Sequence, residues 1–209
     1  MCVWAASVRE SNHGAPVLCC GTLRDVAKIL DALDAEMIEW IAAQHVFFVA
    51  SAPSEGGHVN LSPKGHDTLR VLDEVTVGFL DLTGSGAETI AHTRDNGRLT
   101  IMLCAFAGPP RILRLFGTAR AHPEGSPRFA ELEHRFPALS GSRSIVVLDV
   151  ERIQTSCGYS VPFMDYSEER PTLEQWAARM DRDELAAYWA KKNTRSIDGL
   201  PALEPDRRP

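Results

Sequence analysis

Two stretches of the chain hold residues whose types and spacing could do chemistry. The first, His58-Val-Asn-Leu-Ser-Pro-Lys-Gly65, reads as a strand that ends in a Ser-Pro-Lys-Gly corner. The second, Leu80-Asp-Leu-Thr-Gly-Ser-Gly-Ala-Glu-Thr89, reads as a strand that empties into a glycine turn and opens a helix. Together they offer a lysine, several hydroxyls and the N–H groups of a helix start. That set suits an anion, above all a phosphate. A capped turn after a strand accounts for the second stretch equally well. A dinucleotide fingerprint does not, because Thr89 stands where G-x-G-x-x-G needs its third glycine.

Within the first stretch, Asn60 and Ser62 alternate with Leu61 and so share the face opposite it. Three readings stay open: a ligand-facing patch, a dimer seam, or the polar face of an edge strand in water. Lys64 follows Pro63, which stiffens the backbone, and brings a point charge with three donors. Further along, Arg111 and Arg114 differ by an odd number of positions, so only one of them can join a site on a given strand face. Arg98 opens its strand and can reach an anion at the neighbouring turn. Seven histidines show no H-x-H or H-E-x-x-H spacing and five cysteines no C-x-x-C, so no metal site or disulfide framework is expected. Cys157 reads as a packed thiol, and no serine sits in a G-x-S-x-G elbow.

The elements that must position these residues follow from periodicity. Val26, Ile29, Leu30, Leu33, Met37, Ile38 and Ile41 recur at helical spacing, which predicts an amphipathic helix with a break near Asp34. Residues 46–51 and 59–62 read as a hairpin around the 53–57 turn. Residues 69–72 extend the corner, and 75–82 form another strand. A short helix over 85–96 is expected, with Ser85 as its cap, Glu88 completing a capping box and Asn96-Gly97 as its stop. Strands follow at 98–106, 111–120 and 144–154, with a small helix at 127–136 and two more at 173–180 and 184–191. About six strands, mostly in hairpins, argue for a mainly β fold: an antiparallel β-barrel with peripheral helices. The barrel is expected over 25–156. Residues 1–24 read as a poorly ordered extension, and 157–209 as a loop and helices packing on the barrel or on a dimer partner.

In the 209-residue chain, 22 Lys+Arg against 28 Asp+Glu leave a net charge of −6, which argues against nucleic acid as a partner. No apolar run approaches the roughly 20 residues of a membrane span. The first residues lack the basic lead of a secretory signal, and with the cysteine pattern this points to a reducing, cytoplasmic setting.

A resemblance sharpens the anion site. Phe47-Phe-Val-Ala-Ser-Ala-Pro53, Asn60-Leu-Ser-Pro-Lys-Gly65, Asp81-Leu-Thr-Gly-Ser-Gly86, Asn96-Gly-Arg98 and Arg111-Ile-Leu-Arg-Leu-Phe-Gly117 resemble the pyridoxamine 5'-phosphate oxidase-related, FMN-binding split-barrel family. The likeness runs over about residues 28–203 and includes a tail like Thr155-Ser-Cys-Gly-Tyr-Ser-Val-Pro162, with Lys192-Asn193 and Ser196-Ile-Asp-Gly-Leu-Pro201. It implies a homodimer of split barrels with one FMN in each of two clefts at the interface. The strand from Asn60 to Lys64 would lie beside the isoalloxazine ring, and Thr83 to Thr89 near the ribityl phosphate. The implied cofactor set is Asn60, Ser62, Lys64, Gly65, Thr83, Ser85, Gly86, Thr89, Arg98 and Arg111. The implied activity is FMN-dependent oxidoreduction of an unidentified small molecule. The other reading is a non-catalytic flavin, deazaflavin or haem binding module. One departure stands out. Where the vitamin-B6 oxidases carry Arg-Lys for the phosphate, this chain has Glu88-Thr89, so the charge must come from Lys64, Arg98, Arg111 or the helix start. Their basic C-terminal signature is missing too, and the B6 oxidase reaction itself is not implied.

Overall fold

The computed structural model describes residues 27–204. The expected extension over 1–24 lies outside the described residues. Among them, eight strands and five α-helices run in the order β1 (Ala27–Leu30), α1 (Ala35–Ala42), β2 (Phe47–Ser51), β3 (Asn60–Lys64), β4 (Leu69–Asp73), β5 (Thr76–Leu82), α2 (Glu88–Asp95), β6 (Arg98–Cys104), β7 (Ile112–Pro123), α3 (Pro127–Leu132), β8 (Ser142–Ser156), α4 (Thr172–Ala177) and α5 (Arg182–Lys192).

All strands belong to one antiparallel sheet with the path β3-β2-β6-β7-β8-β5-β4, and β1 adds to β8. The path does not return on itself: β3 and β4 are its two ends. This is a split β-barrel with helices at its periphery, the fold class expected from the hairpin pattern. The two longest strands, β7 and β8, pair from Ile112↔Ser156 to Pro123↔Ser144 and form its spine. Alternation along the strands puts Val49, Phe79, Ile101, Leu115, Leu148 and Ile153 in one fully buried cluster. A second cluster seats Phe129 and Leu132 of α3 on Leu80 and Ile145, and a third seats Ile90 and Ala91 of α2 on Ala202 and Leu203.

Two expectations are corrected. The expected helix over Val26 to Ile41, whose first residue lies outside the described residues, is two elements. Residues 27–30 form β1, and α1 begins only after Asp34, whose Oδ1 accepts from the Met37 N–H at 2.8 Å. The reason lies across the sheet. β5 pairs β8 only as far as Asp149, so the far end of β8, from Ile153 to Ser156, offers an open edge that β1 fills. Residues 69–73 likewise are a strand in their own right, paired with β5, rather than an extended corner.

Gly117 marks the place where the register of β7 on β8 shifts. A side chain there would overlap the carbonyl oxygen of Asp149. The bulge therefore requires glycine. Gly117→Ala is expected to cost about 3 kcal/mol of stability, read by urea unfolding. Wild-type stability in that variant would show that the spine relaxes freely at this point.

Candidate functional site

Of the ten residues expected to hold a cofactor, seven fall into two groups that do not merge. Lys64, Gly65, Thr83 and Arg111 line, with Gly84, a cleft of about 1280 Å³ whose walls include Trp40, Leu80, Leu82 and Phe106. Asn60, Ser62 and Thr89 lie outside that lining and bond to one another.

The second group is a seam along the inward face of β3. Ser62 Oγ donates to Asn60 Oδ1 at 3.1 Å, and Asn60 Nδ2 donates to Thr89 Oγ1 at 3.2 Å. Behind them Ser51 Oγ meets Nδ1 of the fully buried His92 at 2.9 Å. Of the three readings of Asn60 and Ser62, a polar face turned to water is the one that fails, since both are half-buried and hydrogen-bonded. Leu61 and Val59, on either side of Asn60, are the exposed residues, at 64% and 76%.

In the cleft, Lys64 is held by a residue that the sequence reading passed over. Its Nζ lies 2.9 Å from Oδ1 of Asp81 on β5. The other oxygen, Oδ2, accepts from Arg143 Nε at 2.7 Å, and Arg143 Nη1 goes on to the carbonyl of Gly86 at 2.8 Å. Burial alone would push the Asp81 carboxyl up. The charges of Arg143 and Lys64, each with a hydrogen bond, outweigh that and hold it well below the usual carboxylate range. Lys64 thus ties β3, one end of the sheet path, to β5 near the other end. A signal for Asp81 and Arg143 was present: each is a charge beside a strongly apolar run, and such charges are buried only when paired.

The expected phosphate loop is held from behind. Thr83 Oγ1 donates to the Gly141 carbonyl at 2.6 Å and accepts from Trp189 Nε1 at 2.8 Å. Asn193 Nδ2 donates to the Gly84 carbonyl at 3.0 Å. Ser85 is exposed and does not cap α2, whose N-cap is Ala87 without a side-chain bond. The capping box fails because Glu88 instead accepts the Ile197 N–H, at 3.1 and 3.2 Å. Arg98 stands at the other end of α2, about 12 Å along an eight-residue helix, and donates to the Pro53 carbonyl at 3.2 Å. Arg111 lines the cleft with its charge already met by Glu36 at 2.7 Å and its guanidinium 5.4 Å from the Trp40 ring centre. A strap over residues 163–170 borders the cleft, with Tyr166 stacked on His45 at 3.7 Å and Glu169 accepting from the His66 N–H at 3.2 Å.

Residues 33–157 match the family model described as pyridoxamine 5'-phosphate oxidase. The chain belongs to the pyridoxamine 5'-phosphate oxidase family. A member of that family from Aspergillus flavus, ustO, is 40% identical over 190 residues, covering 83% of this chain and 76% of its own. Among solved structures, HupZ of Group A Streptococcus is similar at 22% identity and a TM-score of 0.45, over 58% of this chain and 92% of that one. A protein described as the FAD binding protein of Mycobacterium smegmatis is similar at 14% identity and 0.42, over 60% and 96%. In this family member no helix among the described residues is long and apolar enough to cross a membrane. No group of His, Cys, Asp or Glu among them is placed to hold a metal ion.

Replacing Asp81 by Asn leaves two cations facing each other in a buried place, so Asp81→Asn is expected to cost about 3 kcal/mol at pH 7. The folded carboxyl is depressed, so its contribution is fully present above the unfolded carboxyl's value of about 3.9 and is lost as pH falls toward the folded one. The stability gap between wild type and Asp81→Asn should therefore be flat above about pH 5 and narrow below about pH 4. A gap unchanged in acid would contradict this assignment.

Proposed function

We propose that this protein binds a flavin, FMN, in the cleft at Lys64 and acts as an FMN-dependent oxidoreductase on a small molecule. The observation that carries the reading is the cleft itself, in a chain of this family. Its volume of about 1280 Å³ exceeds the usual ligand-pocket range of roughly 300–1,000 Å³. A flavin and a second small molecule can share it. Its apolar walls at Trp40, Leu80, Leu82 and Phe106 suit a flat ring system.

The residues fit the cofactor. Lys64 spends one donor on Asp81 and keeps the others for an anionic group or a ring acceptor. Ser62 gives its proton to Asn60, so Lys64 is the β3 donor left to turn to a ligand. The flavin, when bound, supplies the hydride chemistry. The chain's part is to orient it, to exclude water with the strap at 163–170, and to set the local charge with Lys64. No protein acid or base is needed for a simple hydride transfer. The free thiols Cys104 and Cys157 are in keeping with a reducing cytoplasm.

A non-catalytic binding module for a flavin, deazaflavin or haem is the second reading. It is supported by Glu88, which places a carboxylate where the B6 oxidases carry a cation. Purified protein should be yellow or take up added FMN, and NAD(P)H or dithionite should bleach it. Lys64→Ala should weaken FMN about tenfold, the order of a charge-assisted hydrogen bond. Colourless protein that refuses FMN would end the proposal; a bound flavin that passes electrons only to oxygen would favour the module.

We further propose a homodimer with its flavin sites at the interface. The support is β3, an end strand of the sheet that exposes Leu61, with the exposed Val59 just before it. Light scattering should give twice the 23.0 kDa chain mass, and Leu61→Lys should shift it toward one. A monomeric wild type would refute the dimer.

A further inference from the structure

The Arg-Lys pair that the resemblance gives the vitamin-B6 oxidases is absent at Glu88-Thr89, yet a buried arginine, Arg143, stands behind the same loop. Arg143 and Asp81 have side chains only 6% and 1% exposed, while Lys64 is 20% exposed and reaches the cleft. The three charges sum to a single positive one. Only Lys64 of the three is on the cleft wall, so the excess charge is presented there. At the other end of the unit, Arg143 Nη1 draws the Gly86 carbonyl inward, and Asn193 does the same for that of Gly84. The carbonyls of Gly84 and Gly86 are thereby committed to the buried side. Among the described residues, no acceptor takes the N–H groups of Gly84, Ser85, Gly86 or Ala87. Arg143 is therefore bonded to the loop that the resemblance puts near the phosphate, and through Asp81 to the lysine of the cleft wall.

We propose that Asp81 and Arg143 are positioning residues for the phosphate end of the flavin, holding Lys64 and the loop at residues 84–87 as one unit that distinguishes FMN from riboflavin. This rests on the flavin reading above. Charge and position make opposite predictions for it. Asp81→Asn removes a negative charge, so a purely electrostatic site would bind the phosphate more tightly. A positioning role requires looser binding, because Lys64 and Arg143 lose the carboxylate that orients them. Arg143→Lys keeps the charge but cannot reproduce the guanidinium's simultaneous bonds to Asp81 and Gly86.

The test is equilibrium binding of FMN and of riboflavin, followed by flavin fluorescence, with wild type and both variants. Circular dichroism and thermal unfolding establish which are folded. Wild type should prefer FMN. Asp81→Asn and Arg143→Lys should each lose about tenfold in FMN affinity, with riboflavin changed by less than about twofold. If Asp81→Asn does not fold, Arg143→Lys decides alone. Unchanged or tighter FMN binding in the folded variants overturns the proposal. So does equal loss for both flavins, the mark of a merely structural role. A wild type that binds FMN and riboflavin equally overturns it while leaving the flavin reading intact. A wild type that binds neither removes the flavin reading, and this proposal with it.

Discussion

The carboxylate of Asp81 bears the structure's most consequential interaction. It is fully enclosed, and an unpaired carboxylate there would cost several kcal/mol. Lys64 and Arg143 supply the pairing, at 2.9 and 2.7 Å. Arg143 comes from β8, the strand paired with β5, but Lys64 comes from a strand that the sheet's hydrogen bonds do not join to Asp81. Lys64 belongs to β3, the first strand of the path, and Asp81 to β5, next to its last. A split barrel has a seam where backbone pairing stops. Here an ion pair crosses it, with Phe47 and Phe79 in edge-to-face contact at 5.7 Å and the Lys64 ammonium 5.8 Å from the Phe79 ring centre. The cleft opens beside that crossing, which makes its charged wall a by-product of how the barrel is held shut.

What could be read from the chain alone was whatever depends on near neighbours. The hairpin from Phe47 to Lys64, the helix stop at Asn96-Gly97 and the long apolar strand after Arg143 are each set by local alternation or turn chemistry. Gly97 adopts φ +74°, the conformation that stop requires. What failed depended on partners far away. Residues 27–30 carry a helical spacing but become a strand, because β8 outruns β5 and leaves an edge. Ser85 and Glu88 have the spacing of a capping box, yet Glu88 is claimed by the N–H of Ile197, 109 positions on. Alternation in β3 correctly put Asn60 and Ser62 on one face, opposite Leu61. It could not tell a ligand-facing row from one that satisfies itself, and Thr89 and Ser51 decide that outcome for Asn60.

The same limits explain the divided site. Polar side chains at alternate strand positions must find partners wherever water is excluded. Asn60, Ser62 and Thr89 find each other, and so become part of the wall that fixes β3 rather than free donors. Lys64 is different because its partner is shared. A carboxylate with two oxygens can satisfy two cations at once, and an ammonium with three donors is not exhausted by one acceptor. The residue that retains capacity for a ligand is thus the one whose structural bond is the least complete.

The family match ends at residue 157, but the loop from Thr83 to Glu88 is held by residues beyond it. Trp189 bonds Thr83, Asn193 bonds Gly84, and the N–H of Ile197 bonds Glu88. Asn193 is fully buried in that role, which a surface tail would not require. The barrel therefore supplies a strand end and a glycine turn, and the C-terminal segment shares with Arg143 in fixing the turn's carbonyls. Two chains sharing the barrel but differing after it would present different groups at the same loop. Glu88 shows the consequence. As a free carboxylate beside a helix start it would compete for any N–H that an anion needs, but bonded to Ile197 it is drawn into the tail's own backbone. The residue at which the resemblance departs from the vitamin-B6 oxidases is thus one that the tail's backbone engages.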